Sequence, residues 1–140
     1  MKKTILMFAA IVMFCSYSFA MAPPKAVKDA FSKKFPTATK ISWGKESAKE
    51  WEAEFSLDGI KISSVFFEDG KWLETEQMVK AAALPKAVAD AIKATYPGWT
   101  IVEADKTESA KLGSIYEADL KKGMSKKAVA IKADGTFVKE

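Results

Sequence analysis

The 140-residue chain contains no histidine and no arginine, and its one cysteine is Cys15. The absence of histidine removes the usual general base and the usual nitrogen ligand of metal ions, and the thiol nucleophile and sulfur ligand are lost as well if the segment that contains Cys15 is cleaved, as argued below. The seven glycines are scattered singly, so the chain has no glycine-rich phosphate loop. We therefore expect a protein that is not an enzyme and that carries no cofactor and no metal.

Paired carboxylates are the catalytic groups that remain. Two pairs of glutamates have the spacing that puts two carboxylates on one face of a strand, namely Glu52 with Glu54 and Glu74 with Glu76. Such a pair could in principle serve glycoside hydrolysis. Alternating glutamates on a strand are more typical of a solvated surface, so we assign them no catalytic role.

Long hydrophobic runs are absent except near the N-terminus. Residues 1–20 open with Lys2 and Lys3, continue with an apolar run over residues 5–14, and end in small residues. This pattern is typical of a secretory signal peptide, whereas a membrane span would need about 20 apolar residues. A lipid anchor at Cys15 is a further alternative, although the bulky Phe14 precedes it. We expect cleavage after Ala20 rather than Ala22, and a periplasmic or secreted protein.

Charge is nearly balanced once the signal peptide is removed. Cleavage after Ala20 takes away Lys2, Lys3 and Cys15, which leaves 20 lysines against 18 acidic residues and no disulfide. No basic cluster on one face is evident, and there is no arginine for bidentate contacts to bases. We therefore expect no nucleic-acid partner, and no membrane partner after signal cleavage.

Two stretches of the mature chain repeat each other. "PKAVKDAFSKKFP" at 24–36 and "PKAVADAIKATYP" at 85–97 share seven of thirteen residues at an offset of 61, and "WEAEF" at 51–55 resembles "YEADL" at 116–120 at an offset of 65. The pairs Asp69-Gly70 and Asp134-Gly135 also lie 65 residues apart. The four extra residues fall between 104 and 114, where a loop or longer hairpin can absorb them. This predicts repeats at 21–80 and 81–140 that form one cooperative unit.

Each predicted repeat begins with a helix and continues with strands. Apolar residues at helical spacing form one stripe per helix, and Pro36 and Pro97 end the two segments. The stripes are Val27, Ala30, Phe31 and Phe35, then Val88, Ala91, Ile92 and Tyr96. Alternating apolar residues around Asp58-Gly59 and Asp69-Gly70 predict antiparallel strands joined by two-residue turns. The fold class is therefore α+β, with a helix and about four strands in each repeat.

The residues just quoted resemble the PepSY-like family, also called beta-lactamase-inhibitor-like, of secreted or periplasmic bacterial proteins. The resemblance covers the helix, the proline, the strand with Trp43, the aromatic-Glu-Ala-acid-apolar motif and the terminal Asp-Gly-aromatic motif, in two tandem copies. The counterpart of Trp43 in the second copy is Ala104, which departs from the first. The resemblance implies one continuous curved sheet with the helices on one side and an open face on the other.

Counting from two-residue turns predicts which side chains share a face, because side chains alternate along a strand. Leu57 then pairs with Ile60, Phe55 with Ile62, Trp51 with Phe66, and Phe66 with Leu73. This apolar set should be packed under the helices. In the second copy the same count buries Val129, Ile131 and Val138 and turns Glu117, Asp119, Lys132 and Phe137 outward.

The opposite face of the first copy is the candidate binding site. Phe67 should lie directly across from Trp72, within a ring of carboxylates, and exposed apolar clusters with polar rims mark interaction surfaces. A cross-strand aromatic pair that only stabilises a hairpin is the alternative. The candidate binding residues are Val65, Phe67, Trp72, Glu52, Glu54, Glu74, Glu76 and Phe137.

The sequence thus predicts an exported binding module whose open face engages a protein or peptide. Inhibition of a secreted hydrolase is one form that this function could take. A structural or envelope-assembly component that associates through strand edges or helix faces, and capture of a small ligand on the sheet, are the alternatives.

Overall fold

A computed structural model describes residues 22–138 of the chain. The predicted signal peptide, its cleavage site after Ala20 and the lipidation alternative at Cys15 lie outside these residues. The described part contains two α-helices, a short 3₁₀ turn and seven strands, whose bounds are α1 Lys25–Lys34, β1 Thr39–Lys45, β2 Glu50–Leu57, β3 Ile60–Phe67, β4 Trp72–Met78, the 3₁₀ turn Ala81–Ala83, α2 Lys86–Thr95, β5 Thr100–Ser109, β6 Gly113–Lys122 and β7 Ser125–Ile131.

The strands form one open antiparallel sheet in the order in which they occur in the chain, with β1 and β7 at its ends. The fold class is α+β, as the sequence predicts. The described residues divide into two compact units: a first unit of residues 22–78 and 106–114, and a second unit of residues 79–105 and 115–138.

The core of the first unit is aromatic. Helix α1 begins after Pro24, whose carbonyl accepts hydrogen bonds from the amides of Val27 and Lys28 at 3.1 Å. Val27 and Phe31 are buried, as the predicted stripe requires. The Phe31 ring meets Phe55 edge-on with centroids 5.0 Å apart, and rings arranged in this way contribute about 0.5–1.5 kcal/mol beyond the area that they bury.

The core of the second unit is mainly aliphatic. Val88 and Ile92, on one face of helix α2, pack against small and branched residues of the strands. Ala104 stands in this core, whereas its predicted counterpart Trp43 packs against the Phe31 ring at 5.1 Å in the first unit. The fully enclosed strand residues of the second unit include Ile115, Leu120 and Ile131.

The loop at Asp58-Gly59 is the two-residue turn that the sequence predicts. Both residues have positive φ, +51° and +81°, as a type I′ turn requires. The predicted pairs Leu57 with Ile60, Phe55 with Ile62 and Trp51 with Phe66 are confirmed. Ile60 is nevertheless 46% exposed, since it lies at the end of the strand next to the turn.

The loop at Asp69-Gly70 has three residues rather than two, and the prediction for it is wrong. The amide of Phe67 donates to the carbonyl of Lys71 at 2.8 Å, and only Gly70 in the loop has positive φ, at +88°. A three-residue loop with glycine in the left-handed region shifts the pairing by one position. Phe66 therefore pairs with Trp72 and not with Leu73.

This shift moves Trp72 to the opposite face from the one predicted. Trp72 does not lie across from Phe67 on the open face but packs against the aromatic core of the first unit. A bulge follows, because Val65 pairs with Glu74 and leaves Leu73 without a Cα partner on strand β3. The bulge restores the predicted register from Glu74 onward, so only the residues next to the loop are displaced.

The loop at Asp134-Gly135 in the second unit also has three residues, so the prediction of a two-residue turn is wrong there as well. The amide of Lys132 donates to the carbonyl of Thr136 at 2.9 Å, and Ile131 forms a bridge with Phe137. Phe137 is therefore not outward but packs against the core, with its ring 5.8 Å from Tyr96. Val138, expected to be buried, is half-buried.

Gly70 and Gly135 each lie against a helix. A Cβ atom on Gly70 would stand 2.6 Å from the carbonyl oxygen of Ala26, and one on Gly135 would stand 2.7 Å from that of Ala87. The aspartate before each glycine accepts a hydrogen bond from the amide two residues on, at 2.9 Å in Lys71 and 2.8 Å in Thr136. Both loops thus combine an Asp side-chain acceptor with a glycine that a helix approaches closely.

The second helix is followed by three strands rather than four within the described residues. The isolated bridge at Phe137 stands where the fourth strand was expected. The β5–β6 hairpin is long, since both its strands have ten residues, and it contains the positions at which the offset between the two predicted repeats changes. The tip of this hairpin, residues 106–114, belongs to the first unit, where the amide of Ala110 donates to the carbonyl of Leu73 at 2.8 Å.

Replacing Gly70 by alanine should destabilise the protein more than the same change at Gly59. Both residues have positive φ, which costs an alanine about 1–2 kcal/mol. Gly59 has no atom within 4 Å of the added Cβ, whereas Gly70 would meet the Ala26 carbonyl, and overpacking adds about 1–3 kcal/mol. Urea unfolding of both variants measures the difference, and equal losses would show that the helix does not press on the Gly70 loop.

Candidate functional site

The open face of the first unit is built from cross-strand rows on strands β1 to β4. In one row Gly44, Glu52, Val65 and Glu74 are successive Cα partners. In the next row the partners are Ser42, Glu54, Ser63 and Glu76. The structure therefore brings together Val65 and the four glutamates that the sequence assigned to this face.

The apolar part of this face is small. Val65 stands between Glu52 and Glu74 and is only 7% exposed. Phe67 pairs with Glu50 at the end of strand β3 and is half-buried. The predicted pair of Phe67 with Trp72 does not exist, so Phe67 is the one aromatic candidate on this face.

Trp72 instead caps the aromatic core. Its indole nitrogen donates to the hydroxyl oxygens of Thr75 at 3.0 Å and Ser64 at 3.2 Å. Ser64 is fully enclosed and also donates to the carbonyl of Glu74 at 2.8 Å. On the outer side of the indole, the ammonium of Lys34 lies 3.8 Å from the ring centroid, which is a cation–π contact. Trp72 is thus a structural residue of the helix-covered face.

Carboxylates dominate the electrostatics of the open face. Partial burial, followed by the charges of Glu46 and Glu54, raises the pKa of Glu52 above its ordinary value, although a hydrogen bond from Ser63 and the charge of Lys61 oppose the shift. Burial also raises the pKa of Glu74, with further contributions from Glu46 and Glu50. Ionising these carboxyl groups in the folded chain therefore costs free energy, and a nearby positive charge would lower that cost.

Two residues of this acidic group, Glu46 and Glu50, are absent from the set that the sequence analysis proposed. Glu50 begins strand β2, and the amide of Glu46 donates to the carbonyl of Glu50 at 3.1 Å. Glu50 continues the alternation of Glu52 and Glu54, so a longer count along the same strand could have found it. Glu46 follows strand β1, for which no turn signal defined a register.

The second unit has carboxylates on the corresponding side of its strands. Glu117 and Asp119 lie on the face opposite Ala118 and Leu120, as predicted, and Glu117 is half-buried. Burial raises the pKa of Asp105, as do the charges of Glu103 and Asp119. Phe137 lies on the core side of this unit and contributes nothing to such a face.

A shallow groove adjoins the acidic face of the first unit. It has a volume of about 320 Å³ and is lined by Lys40, Ser42, Glu54, Phe55, Ser56, Gly59 and Lys61. Lys61 and Glu54 form an exposed ion pair at 3.4 Å in this groove. Such a pair contributes about 0–1 kcal/mol to stability, so both groups can exchange partners readily.

Carboxylates are the main chemical groups of this face. Among residues 22–138, no three carboxylates, histidines or cysteines converge as candidate metal ligands. In the same described part of the chain, no helix is long and apolar enough to cross a membrane. The arrangement is a row of carboxylates around a small apolar centre.

Comparisons with known proteins agree with this architecture. Residues 49–139 match the model of the family described as "Putative beta-lactamase-inhibitor-like, PepSY-like". No curated protein sequence gives a significant match to the chain.

Solved structures from Bacteroides species share the fold. A BLIP-like protein from Bacteroides fragilis is 24% identical with a TM-score of 0.75, and the alignment covers 85% of each chain. A DUF2874 family protein from Bacteroides ovatus is 22% identical with a TM-score of 0.75, covering 85% of this chain and 86% of that one. A protein from Bacteroides eggerthii described as "putative periplasmic" is 20% identical with a TM-score of 0.73, covering 85% and 88%.

Neutralising Glu52 or Glu74 should raise the free energy of unfolding at neutral pH. The pKa of each carboxyl is higher in the folded chain than its ordinary value of 4.5, so folding favours the protonated form. Stability should therefore fall as pH rises from about that value through the raised pKa. Urea titrations across this window should find Glu52→Gln and Glu74→Gln more stable than the wild type at pH 7 and equal to it in acid.

The exposed Glu68 in the β3–β4 loop supplies the control. Glu68→Gln removes the same charge outside the acidic rows, so it should not raise the free energy of unfolding at pH 7 as the other two changes do. Two results would contradict the claim that Glu52 and Glu74 are costly to ionise in the folded chain. One is a wild-type stability that does not fall through this pH window, and the other is a Glu68 variant that changes stability as much as the other two.

Proposed function

The chain belongs to the PepSY-like family, and we propose that it is an exported, non-catalytic binding module that takes up a positively charged segment of a protein or peptide on the open face of its first unit. The observation that carries the proposal is the row Glu52–Val65–Glu74, with Glu46 and Glu50 close enough to raise carboxyl pKa values in it. A cationic segment would offset this repulsion on binding.

The binding residues of the proposal are Val65, Phe67, Glu52, Glu54, Glu74 and Glu76, now joined by Glu46 and Glu50. Val65 and Phe67 supply the apolar centre, and the carboxylates surround it. Trp72 and Phe137 are removed from the set because both pack against cores. With one half-buried aromatic residue in place of a pair, recognition relies more on charge than on an aromatic anchor.

Export and the absence of catalysis are parts of the same proposal. The pattern of residues 1–20 supports export, and so does the fold shared with the Bacteroides eggerthii protein described as "putative periplasmic". The lack of histidine and arginine in the chain supports a role without catalysis. Inhibition of a secreted hydrolase is one form of this function, suggested by the family's description, although a shared fold alone does not carry function.

The two-copy organisation also belongs to this proposal. Gly70 and Gly135 each approach the carbonyl of an alanine in the first turn of a helix, and these alanines are Ala26 and Ala87. The glycines are 65 residues apart and the alanines 61, the same offsets as in the repeated sequence. We infer from this that the chain arose by duplication.

Assembly through strand edges, the alternative function, has less support. Lys40 in edge strand β1 has a φ of +53°, and the register with β2 shifts between Thr39 and Ser42. Irregular pairing and lysines are features by which edge strands avoid pairing with other chains. Small-ligand capture keeps some support from the groove at Lys61 and Glu54, which is of the size that small-molecule sites have.

The proposal can be tested by capturing proteins from the native exported fraction. One variant replaces Glu50, Glu52, Glu54 and Glu74 by glutamine. A control variant with the same change in charge replaces Asp29, Asp58 and Asp90 by asparagine and Glu68 by glutamine, all of them exposed and outside the acidic rows. The open-face variant should bind the captured protein at least roughly tenfold more weakly, mainly through slower association.

The control variant should bind as the wild type does. A partner that the open-face variant retains in full, or that both variants lose equally, would refute the proposed surface. If the partner is held by the open face, raising the ionic strength should weaken binding to the wild type more than to the open-face variant.

A further inference from the structure

The hairpin between strands β6 and β7 carries a cationic tip that the proposed function does not use. Residues 121–127 read "KKGMSKK", four lysines in seven residues. Lys121 pairs with Lys126 across the hairpin, and Lys122 pairs with Ser125. All seven residues are exposed, and Met124 at the apex is 98% exposed.

The lysines surround the tip on both faces of the hairpin. The ammonium of Lys122 donates to the carbonyl of Pro97 at 3.4 Å, and that of Lys127 lies 5.5 Å from the Tyr96 ring, so both are on the helix side. Lys121 and Lys126 lie on the other face of the hairpin. They share this face with the next pair but one along the strands, Asp119 and Ala128. In the described part of the chain, no ion pair joins any of the four to a carboxylate.

Protection of a sheet edge accounts for only part of this tip. Lysines on end strand β7 would discourage pairing with another chain, which covers Lys126 and Lys127. It does not account for Lys121 and Lys122 on strand β6, nor for a fully exposed methionine between the two pairs. Like charges directly opposite each other also destabilise a hairpin, so an anionic partner would relieve the repulsion between Lys121 and Lys126.

We propose that this tip docks end-on onto an anionic lipid surface. Met124 would enter the interfacial layer while the four lysines, on their flexible stems, reach the headgroups around it. Charge on both faces of a hairpin with a single apolar residue at its apex suits a flat anionic layer. A shaped groove on a protein would be expected to meet more apolar area than one side chain supplies.

The inference modifies the sequence expectation of no membrane partner after signal cleavage. It concerns contact with a membrane surface and requires no span. The four lysines are close in the sequence, and the pairing of strands β6 and β7 across the turn at Gly123 shows how they divide between the two faces of the hairpin. Asp119, on strand β6 behind the tip, would be repelled by the same surface, which favours contact through the tip alone.

Co-sedimentation of the exported protein with vesicles tests the proposal. At low ionic strength the protein should sediment with vesicles of phosphatidylglycerol and phosphatidylcholine but not with vesicles of phosphatidylcholine alone. Each lysine near an anionic surface contributes roughly fivefold to partitioning, so Lys121→Gln with Lys126→Gln should weaken it about 25-fold. Met124→Ser should weaken it by roughly fivefold through loss of apolar insertion.

The matched control replaces Lys28 and Lys33, two exposed lysines of helix α1, by glutamine. This variant loses the same charge and should sediment nearly as well as the wild type. No variant should melt below the wild type, since the changed side chains are exposed, and the variant at Lys121 and Lys126 should melt at the same or a slightly higher temperature because it removes a pair of opposed like charges. Equal sedimentation of the wild type with pure phosphatidylcholine would show that binding does not depend on anionic headgroups and would overturn the proposal.

Equal losses in the tip and control variants would mean diffuse charge attraction and would overturn the proposal. Absence of sedimentation with anionic vesicles at low ionic strength would overturn it as well. If Lys121 and Lys126 prove necessary for retaining an acidic protein while no vesicle binds, the tip has a protein partner and the lipid assignment is wrong. Each of these results leaves the proposed role of the acidic open face unaffected.

Discussion

The close approach of a helix to a glycine loop is the constraint on which the arrangement of side chains depends. In the first unit the carbonyl of Ala26 lies where a side chain on Gly70 would begin, and in the second Ala87 stands in the same relation to Gly135. A glycine in the left-handed region completes a three-residue loop, and that loop determines which residue of the following strand faces the core. Trp72 and Phe137 are thereby turned inward, where they pack beside Phe66 and Tyr96.

Because Trp72 and Phe137 face the cores, the open face of the first unit consists mainly of charged side chains. Had Trp72 stood beside Phe67, an aromatic pair would have formed the centre of the open face. Instead, carboxylates surround Val65, and burial together with the charges of neighbouring glutamates raises the pKa of Glu52 and of Glu74. The bulge at Leu73 matters here, because it returns Glu74 to the open face after Trp72 has been turned to the core.

Much of this structure could be predicted from the sequence, and what could not has a definite physical origin. The helical stripes led by Val27 and Val88 and the turn at Asp58-Gly59 were predictable, because apolar periodicity and flanking apolar residues specify them. The dipeptide Asp-Gly serves both two-residue and three-residue loops, so counting from Asp69 gave the wrong face for Trp72. Two features distinguish the loop at Asp69-Gly70 from the one at Asp58-Gly59: the polar residues on both sides of it and the approach of a helix. The approach of the helix is a tertiary contact that the local sequence does not contain.

The central claim is that Trp72 belongs to the core and Phe67 to the open face. The free energy of unfolding of Trp72→Ala and Phe67→Ala, measured in urea, tests it most directly. The Trp72 change should cost about 2–3 kcal/mol, somewhat below the range for a fully buried aromatic because Trp72 is half-buried, and the Phe67 change should cost less than about 1 kcal/mol. Equal costs, or a larger cost for Phe67, would contradict the three-residue loop and the faces assigned from it.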